Sequence, residues 1–194
     1  MSVEASLQMN DMNAAPTKPE TMLDRAVRTG CAGLAVLLVA SMAPPASAAC
    51  FQELAVYSEA QAKAELTFIP RGEEPDPTLG RFTIRFPEND IAFDGVIMPA
   101  DDPQRPWGIV MHKCPQGDAT GEEIAACTIW QGVVYGLDDT GNVFYLPALN
   151  QGDAAAATIL LPDFAGAVRL SAVWGDKGLS TAPKDDFKLS GCME

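Results

Sequence analysis

Four cysteines that follow an apolar leader constrain the fold of this chain more than any other feature of its sequence. In the leader, Arg25 and Arg28 precede an apolar run over residues 31–42, and two prolines then lead into Ala46-Ser47-Ala48. A charged start, an apolar middle and an A-x-A site are typical of a secretory signal peptide. We therefore predict a signal peptide over residues 1–48 and a single exported domain over residues 49–194.

The same leader leaves two alternatives open. The apolar run is shorter than the ~20 residues that cross a bilayer, and no later stretch is as apolar, so we predict no transmembrane segment in the mature chain. The residues before Met22 are long for the charged n-region of a signal peptide, so the true start is either Met1 or Met22. Residues 47–50 loosely resemble a bacterial lipobox, which keeps a lipid anchor through Cys50 as an alternative.

The cysteines left after cleavage form an even set, Cys50, Cys114, Cys127 and Cys192. In an exported domain such a set predicts two disulfides, with three possible pairings. We expect Cys50–Cys192 to tie the termini together and Cys114–Cys127 to close a short insert rich in Gly, Asp and Glu. On the chain-entropy model the long loop stabilises the fold by roughly 4–5 kcal/mol, and the short loop by about 3 kcal/mol.

The charge of the mature domain narrows the class of partner. Residues 1–48 hold four of the 26 acidic and three of the 13 basic residues, so cleavage leaves 22 acidic and 10 basic residues, a net charge of −12. Such a domain repels a phosphate backbone, and no basic stripe offsets the charge, so we exclude nucleic acid. This negative charge is compatible with a cationic partner, with a metal ion or simply with solubility.

Strand patterns dominate the mature sequence. Apolar and polar residues alternate over Arg81–Phe86, and turn chemistry at 138–142 separates two β-rich runs, which predicts a hairpin of 128–137 with 143–146. We also expect Trp107, Ile109 and Met111 to form an inward row. Further strands are predicted at 62–69, 91–97, 158–161 and 168–174. At most one short helix is expected, at 58–63, within an antiparallel β-sandwich or barrel-like domain.

His112 is the only histidine, so any imidazole chemistry must use it. No serine lies in a nucleophile elbow, and thiol catalysis would need Cys114 to be free in a compartment that oxidises thiols. A zinc site from His112, Cys114 and Cys127 lacks the usual ligand spacing. We therefore predict no catalytic residue, no metal and no cofactor, although carboxylate pairs among the acidic doublets keep a small hydrolase open.

Trp130 is the most promising binding residue. On its strand Ile129, Val133, Tyr135 and Leu137 form one apolar face, with Gln131 as the exception. The other face carries Trp130 with Gly132 and Gly136, which predicts a shallow hollow with an aromatic wall unless another layer packs there. The candidate binding surface is therefore Trp130, Gly132, Gly136 and His112.

These patterns favour an exported acidic module that binds an unknown protein or small ligand on its β surface, in the periplasm or outside the cell, without catalysis. Two alternatives belong to other classes of function. One is the small carboxylate-dependent hydrolase, and the other is an inhibitor of a cationic secreted enzyme, which only the charge suggests.

Overall fold

The computed structural model describes residues 50–72, 75–150, 152–176 and 178–193. The predicted signal peptide therefore lies outside the described residues. The described part is mainly β, as the sequence predicts. Its ten strands are β1 (Ala55–Glu59), β2 (Ala64–Ile69), β3 (Gly80–Phe86), β4 (Ile91–Ala100), β5 (Arg105–Met111), β6 (Thr128–Val133), β7 (Tyr135–Leu137), β8 (Val143–Tyr145), β9 (Thr158–Leu160) and β10 (Asp186–Cys192). Its two α-helices are α1 (Gly121–Cys127) and α2 (Phe164–Leu170).

All ten strands belong to one antiparallel sheet, in the order β6-β5-β4-β3-β2-β1-β10-β9-β7-β8. Strand β6 pairs with β5, whereas its continuation β7 pairs with β9 at the other end of the sheet. Val134 joins the two, and its N–H donates to the carbonyl of Pro106 over 3.1 Å. This bent strand brings the two ends of the sheet together into a nearly closed barrel, the second of the two predicted architectures.

Alternation in the sequence places the core inside this barrel. On β3 the side chains of Phe82, Ile84 and Phe86 are buried, while Arg81 and Arg85 face solvent. Aromatic rings dominate the interior and meet edge to face, as Phe68 does with Phe82 at 6.0 Å. Burying each such side chain contributes roughly 1.5–3 kcal/mol, so the row specifies strand register as well as stability.

The helical content exceeds the single short helix that the sequence predicts. Residues 58–63, expected to be helical, form the end of β1 and a turn instead, because the buried Glu59 carboxylate accepts the N–H groups of Gln61 and Ala62. Residues 168–174, expected to be a strand, belong largely to α2 and the turn after it. Helix α2 buries Phe164 and Val168, which are four residues apart and therefore on one helical face.

Two disulfides join the cysteines that the sequence analysis paired. Cys50 and Cys192 are linked across Cα atoms 5.8 Å apart, at a point where β1 runs beside β10. Cys114 and Cys127 have Cα atoms 5.2 Å apart and close the insert that contains α1. Paired cysteines of this kind are typical of an oxidising extracellular or periplasmic environment.

Candidate interaction surface

The hollow predicted beside Trp130 is filled by the indole ring itself. Trp130 is only 4% exposed, and its Nε1–H donates to the carbonyl of Pro162 over 2.8 Å. A Cβ atom added to Gly132 would lie 2.6 Å from this ring, and one added to Gly108 on the paired strand would lie 2.9 Å from it. The glycines therefore make room for the tryptophan inside the barrel and leave no space for a ligand.

Gly136 has the same role further along the strand. A Cβ atom there would lie 2.6 Å from the ring of Phe144 and 3.3 Å from the side chain of Ala156. Trp130, Gly132 and Gly136 thus share the inward face of the bent strand β6–β7, as the alternation implied. Trp130 and Gly136 are buried, so around them this face is packed and not open, while Phe144 remains 38% exposed.

The apolar side chains of the opposite face point away from the barrel interior. On β6 and β7 these are Val133, Tyr135 and Leu137, all half-buried, whereas the alternate residue Val134 is fully buried. Strand β5 behaves in the same way, because Gly108 and Val110 take the inward positions. The row of Trp107, Ile109 and Met111, expected to face inward, is therefore on the outside.

These outward side chains form one contiguous surface, because residues that pair directly across strands share a face. Met98 pairs with Trp107, which pairs with Val133, and Val96 pairs with Ile109 in the neighbouring row. The surface continues through Tyr135, which pairs with Tyr145 on β8. We call this set the outer apolar face; its members are Val96, Met98, Trp107, Ile109, Met111, Val133, Tyr135 and Tyr145.

The β8 end of the outer apolar face is its most exposed part. The rings of Tyr135 and Tyr145 stack with centroids 5.6 Å apart, and Tyr145 remains 52% exposed. Beside them Val143 is 57% exposed. Strand β8 is also the last strand in the sheet order, so aromatic side chains and a strand edge lie together. Such edges pair readily with an added strand.

The outer apolar face is distinct from the core. The partly buried apolar residues that pack against the core include Ile91, Ile129 and Val173 but no member of the outer apolar face. Helix α1, which precedes β6, buries none of its own residues and so does not act as a cover. Tyr145 is exposed and the other members are half-buried, so the outer apolar face is partly open to solvent, and apolar patches open to solvent mark interaction sites.

Charged groups surround the outer apolar face. The guanidinium of Arg105 lies 5.2 Å from the ring centroid of Trp107, close enough for a cation–π interaction. Acidic turns lie at strand ends on either side, with Asp101 and Asp102 between β4 and β5 and Asp138 and Asp139 between β7 and β8. Hydrogen bonds, first from the Thr140 side chain and then from Asn142, lower the pKa of Asp138 to about 2.

The carboxylates whose pKa values are shifted are stabilised as anions. The pKa values of Asp76, Glu123 and Asp138 all lie below the ordinary range, because each carboxylate accepts hydrogen bonds, chiefly from Thr78, Thr120 and Thr140 respectively. A glycosidase acid needs the opposite shift, toward a protonated carboxyl at neutral pH. These three carboxylates therefore lack the raised pKa that the hydrolase alternative would need in its general acid.

His112 lies apart from Trp130, at the end of β5. Its Nδ1 is 2.9 Å from the carbonyl oxygen of Ala92, and its ring meets the edge of Phe93 at 5.5 Å. Beside it is a recess lined by Ile91, Lys113 and Trp174, among others. Sequence reasoning identified His112 but missed Trp174, which lies in a stretch predicted to be a strand.

In the described ranges no group of three or more His, Cys, Asp or Glu side chains is arranged to hold a metal ion. None of the helices described is long and apolar enough to span a membrane. No protein-family model matches the chain, and neither a curated protein nor a solved structure has significant similarity to it.

Proposed function

We propose that this protein is an exported, non-enzymatic binding module that holds a partner protein on its outer apolar face. The observation that carries the proposal is the outward row of Met98, Trp107 and Val133 on three paired strands. A sheet face of this composition in water lowers the free energy of the system when a partner covers it.

The residue types of the outer apolar face support a protein as the partner. Protein interfaces are enriched in Trp, Tyr, Met and Arg, and their strongest contributions come from Trp, Tyr and Arg near the centre. Trp107 with Arg105 above it, Met98 on the next strand and the stacked pair Tyr135–Tyr145 supply these types on one surface. A surface kept only for solubility would carry charged side chains at these positions.

Charge selects the kind of partner. The net charge of −12 over residues 49–194 and the acidic turns at 101–102 and 138–139 favour a partner with an apolar centre and a Lys- or Arg-rich rim. Inhibition of a cationic secreted enzyme is one form of this function. The compartment we propose is the periplasm or the exterior, and not a lipid anchor, since the Cys50 sulfur is bonded to Cys192.

Site-specific photo-crosslinking in the exporting cell tests the proposal. A photoreactive phenylalanine analogue replaces Ile109 on the outer apolar face, and a matched variant carries it at Glu65, an exposed strand position on β2. We expect an adduct with one basic protein at position 109 and none at position 65. The adduct at 109 should disappear when Met98→Glu places a charge beside Trp107, and it should weaken at high salt.

Three results would overturn the proposal. Equal labelling at positions 65 and 109 would show unspecific contact. Adducts that persist in the Met98→Glu variant, with the variant still folded, would place the partner elsewhere. An adduct of twice the chain mass would show self-association instead of a cationic partner.

A further inference from the structure

We propose that a recess at one end of the barrel binds a small aromatic carboxylate that also carries a hydroxyl or amino donor. The recess lies where β4 begins and β5 ends, and the turn after α2 contributes the rest of its lining. It shares no residue with the outer apolar face, so this inference stands independently of the proposed partner protein.

The aromatic wall of the recess is Trp174, which is 36% exposed although it is one of only three tryptophans. Ile91, which packs against the core, also lines the recess and gives it a second apolar wall. A planar ring fits between an indole face and an aliphatic side chain, since both contacts bury apolar area. The walls thus favour an aromatic body in the ligand.

The turn that carries Trp174 is held in place before any ligand arrives. The Trp174 N–H donates to the Ser171 carbonyl over 3.2 Å, and the Leu179 N–H donates to the Val173 carbonyl over 2.8 Å. Gly178 is required in this turn, because a Cβ atom there would collide with the carbonyl oxygen of Val173. A rigid wall loses little conformational entropy on binding, which favours affinity for a small ligand.

A second element braces the same turn. The side-chain amide of Asn89, in the connection between β3 and β4, donates to the carbonyl of Gly178 over 3.1 Å. The recess therefore has fixed sides contributed by two separate parts of the barrel end. This is the arrangement expected of a preformed ligand pocket at a barrel mouth.

His112 supplies a directed acceptor. A carbonyl oxygen can only accept, so the proton of the neutral imidazole lies on Nδ1, which donates to Ala92 over 2.9 Å. Nε2 then carries the free lone pair, and it has no hydrogen-bond partner among the described residues. A hydroxyl or amino group on the ligand would donate to this nitrogen, which accounts for the donor in the proposed ligand.

Lys113 supplies the charge that a carboxylate needs. It lines the recess next to His112, and it takes part in no ion pair within the described part of the chain. Its backbone has a φ of 52°, in the left-handed region that residues other than Gly, Asn or Asp rarely adopt. A lysine held in this conformation beside an apolar recess is suited to one anionic group of a bound ligand.

The size of the recess limits the ligand to one ring. Its volume is about 230 Å³. An apolar cavity of roughly 150 Å³ holds benzene. A single ring with a carboxylate and one further small group therefore fits, whereas a fused cofactor such as a flavin does not.

Titration of the oxidised domain with 4-hydroxybenzoate tests this site, with the NMR signals of the Trp174 indole and the His112 imidazole as the readout. We expect saturable shifts with a Kd of about 1 mM or tighter. Trp174→Ala and Lys113→Met should each weaken binding about tenfold, while Trp174→Phe should retain most of it. Trp107→Ala, on the outer apolar face, is the matched control and should bind as the unaltered protein does.

Ligand variants separate the polar contacts. 4-Hydroxybenzyl alcohol lacks the carboxylate and 4-methylbenzoate lacks the donor, so each should bind more weakly than 4-hydroxybenzoate. The proposal is overturned if the unaltered protein shows no saturable shift, or if folded Trp174→Ala and Lys113→Met variants bind with undiminished affinity. It is also overturned if Trp107→Ala weakens binding as much as Trp174→Ala does.

Discussion

Two tryptophans on neighbouring strands of the barrel have opposite environments. Trp130 on β6 is almost fully buried, lies over Gly108 and Gly132, and donates to the carbonyl of Pro162. Trp107 on β5 lies on the outer apolar face beneath the guanidinium of Arg105. Both faces of these strands carry apolar side chains, so hydrophobicity alone does not distinguish the core from the surface. The glycines do, because only the inward face needs space for a large ring.

The largest difference between the two faces should be seen in stability. Trp130→Ala removes a buried ring and leaves a cavity, so we expect the free energy of unfolding to fall by about 3–5 kcal/mol. Trp107→Ala should lower it by only about 1 kcal/mol, because the Trp107 ring is half-buried and lies outside the core. Urea unfolding with both disulfides intact measures both values. Similar losses for the two variants would show that Trp107 is also part of the core.

A smaller difference in the free energy of unfolding is expected between an inward and an outward substitution on β6. Gly132→Ala places a Cβ atom 2.6 Å from the Trp130 ring, so we expect a loss of about 1–3 kcal/mol from overpacking. Gln131→Ala, at the exposed neighbouring position, should stay within about 0.5 kcal/mol. The sign is informative, since Gly→Ala without steric conflict usually stabilises a protein. A more stable Gly132→Ala variant would mean that the ring does not lie there.

The smallest effect should come from the turn at the β8 end of the outer apolar face. Hydrogen bonds from Thr140 and Asn142 lower the folded-state pKa of Asp138 from 3.8 to about 2. Their stabilisation is therefore complete above about pH 4 and is lost as the pH falls toward 2. Asp138→Asn should unfold with a weaker pH dependence across this window, as measured by thermal melts.

Asp139→Asn is the control for the turn, because Asp139 accepts none of the hydrogen bonds found within the described residues of this turn. It should keep the pH dependence of the unaltered protein. An Asp138→Asn variant with an unchanged profile between pH 4 and 2 would contradict the proposed role of its carboxylate.

Local signals were sufficient for β3 and for the β7–β8 hairpin, but they missed β1 and β10 and wrongly predicted a strand at 168–174. Strict alternation identified β3, and the turn chemistry at 138–142 identified the β7–β8 pair, because both depend on neighbours in sequence. A capping box would also have identified α1, since the Thr120 side chain accepts the Glu123 N–H and Glu123 reaches back to Thr120. The T-x-x-E pattern at residues 120–123 is therefore a local signal for the start of this helix.

Other features depend on contacts between distant parts of the chain. Whether β5 presents Trp107 or Gly108 to the interior is decided by what lies across the barrel, and alternation alone does not encode it. The recess at His112 forms only because α2 and its turn return to the start of β4. The sequence therefore identified His112 as a candidate, but it gave no indication that Trp174 lies beside it.

Oxidative footprinting of the folded, disulfide-bonded domain tests the outward orientation of the outer apolar face most directly. Hydroxyl radicals modify accessible Met and Trp side chains, and peptide mass spectrometry locates each modification. We predict rapid modification of Met98, Trp107 and Met111 and strong protection of Trp130. Protection of Trp107 together with modification of Trp130 would contradict the assignment of inner and outer faces, and the proposed interaction surface with it.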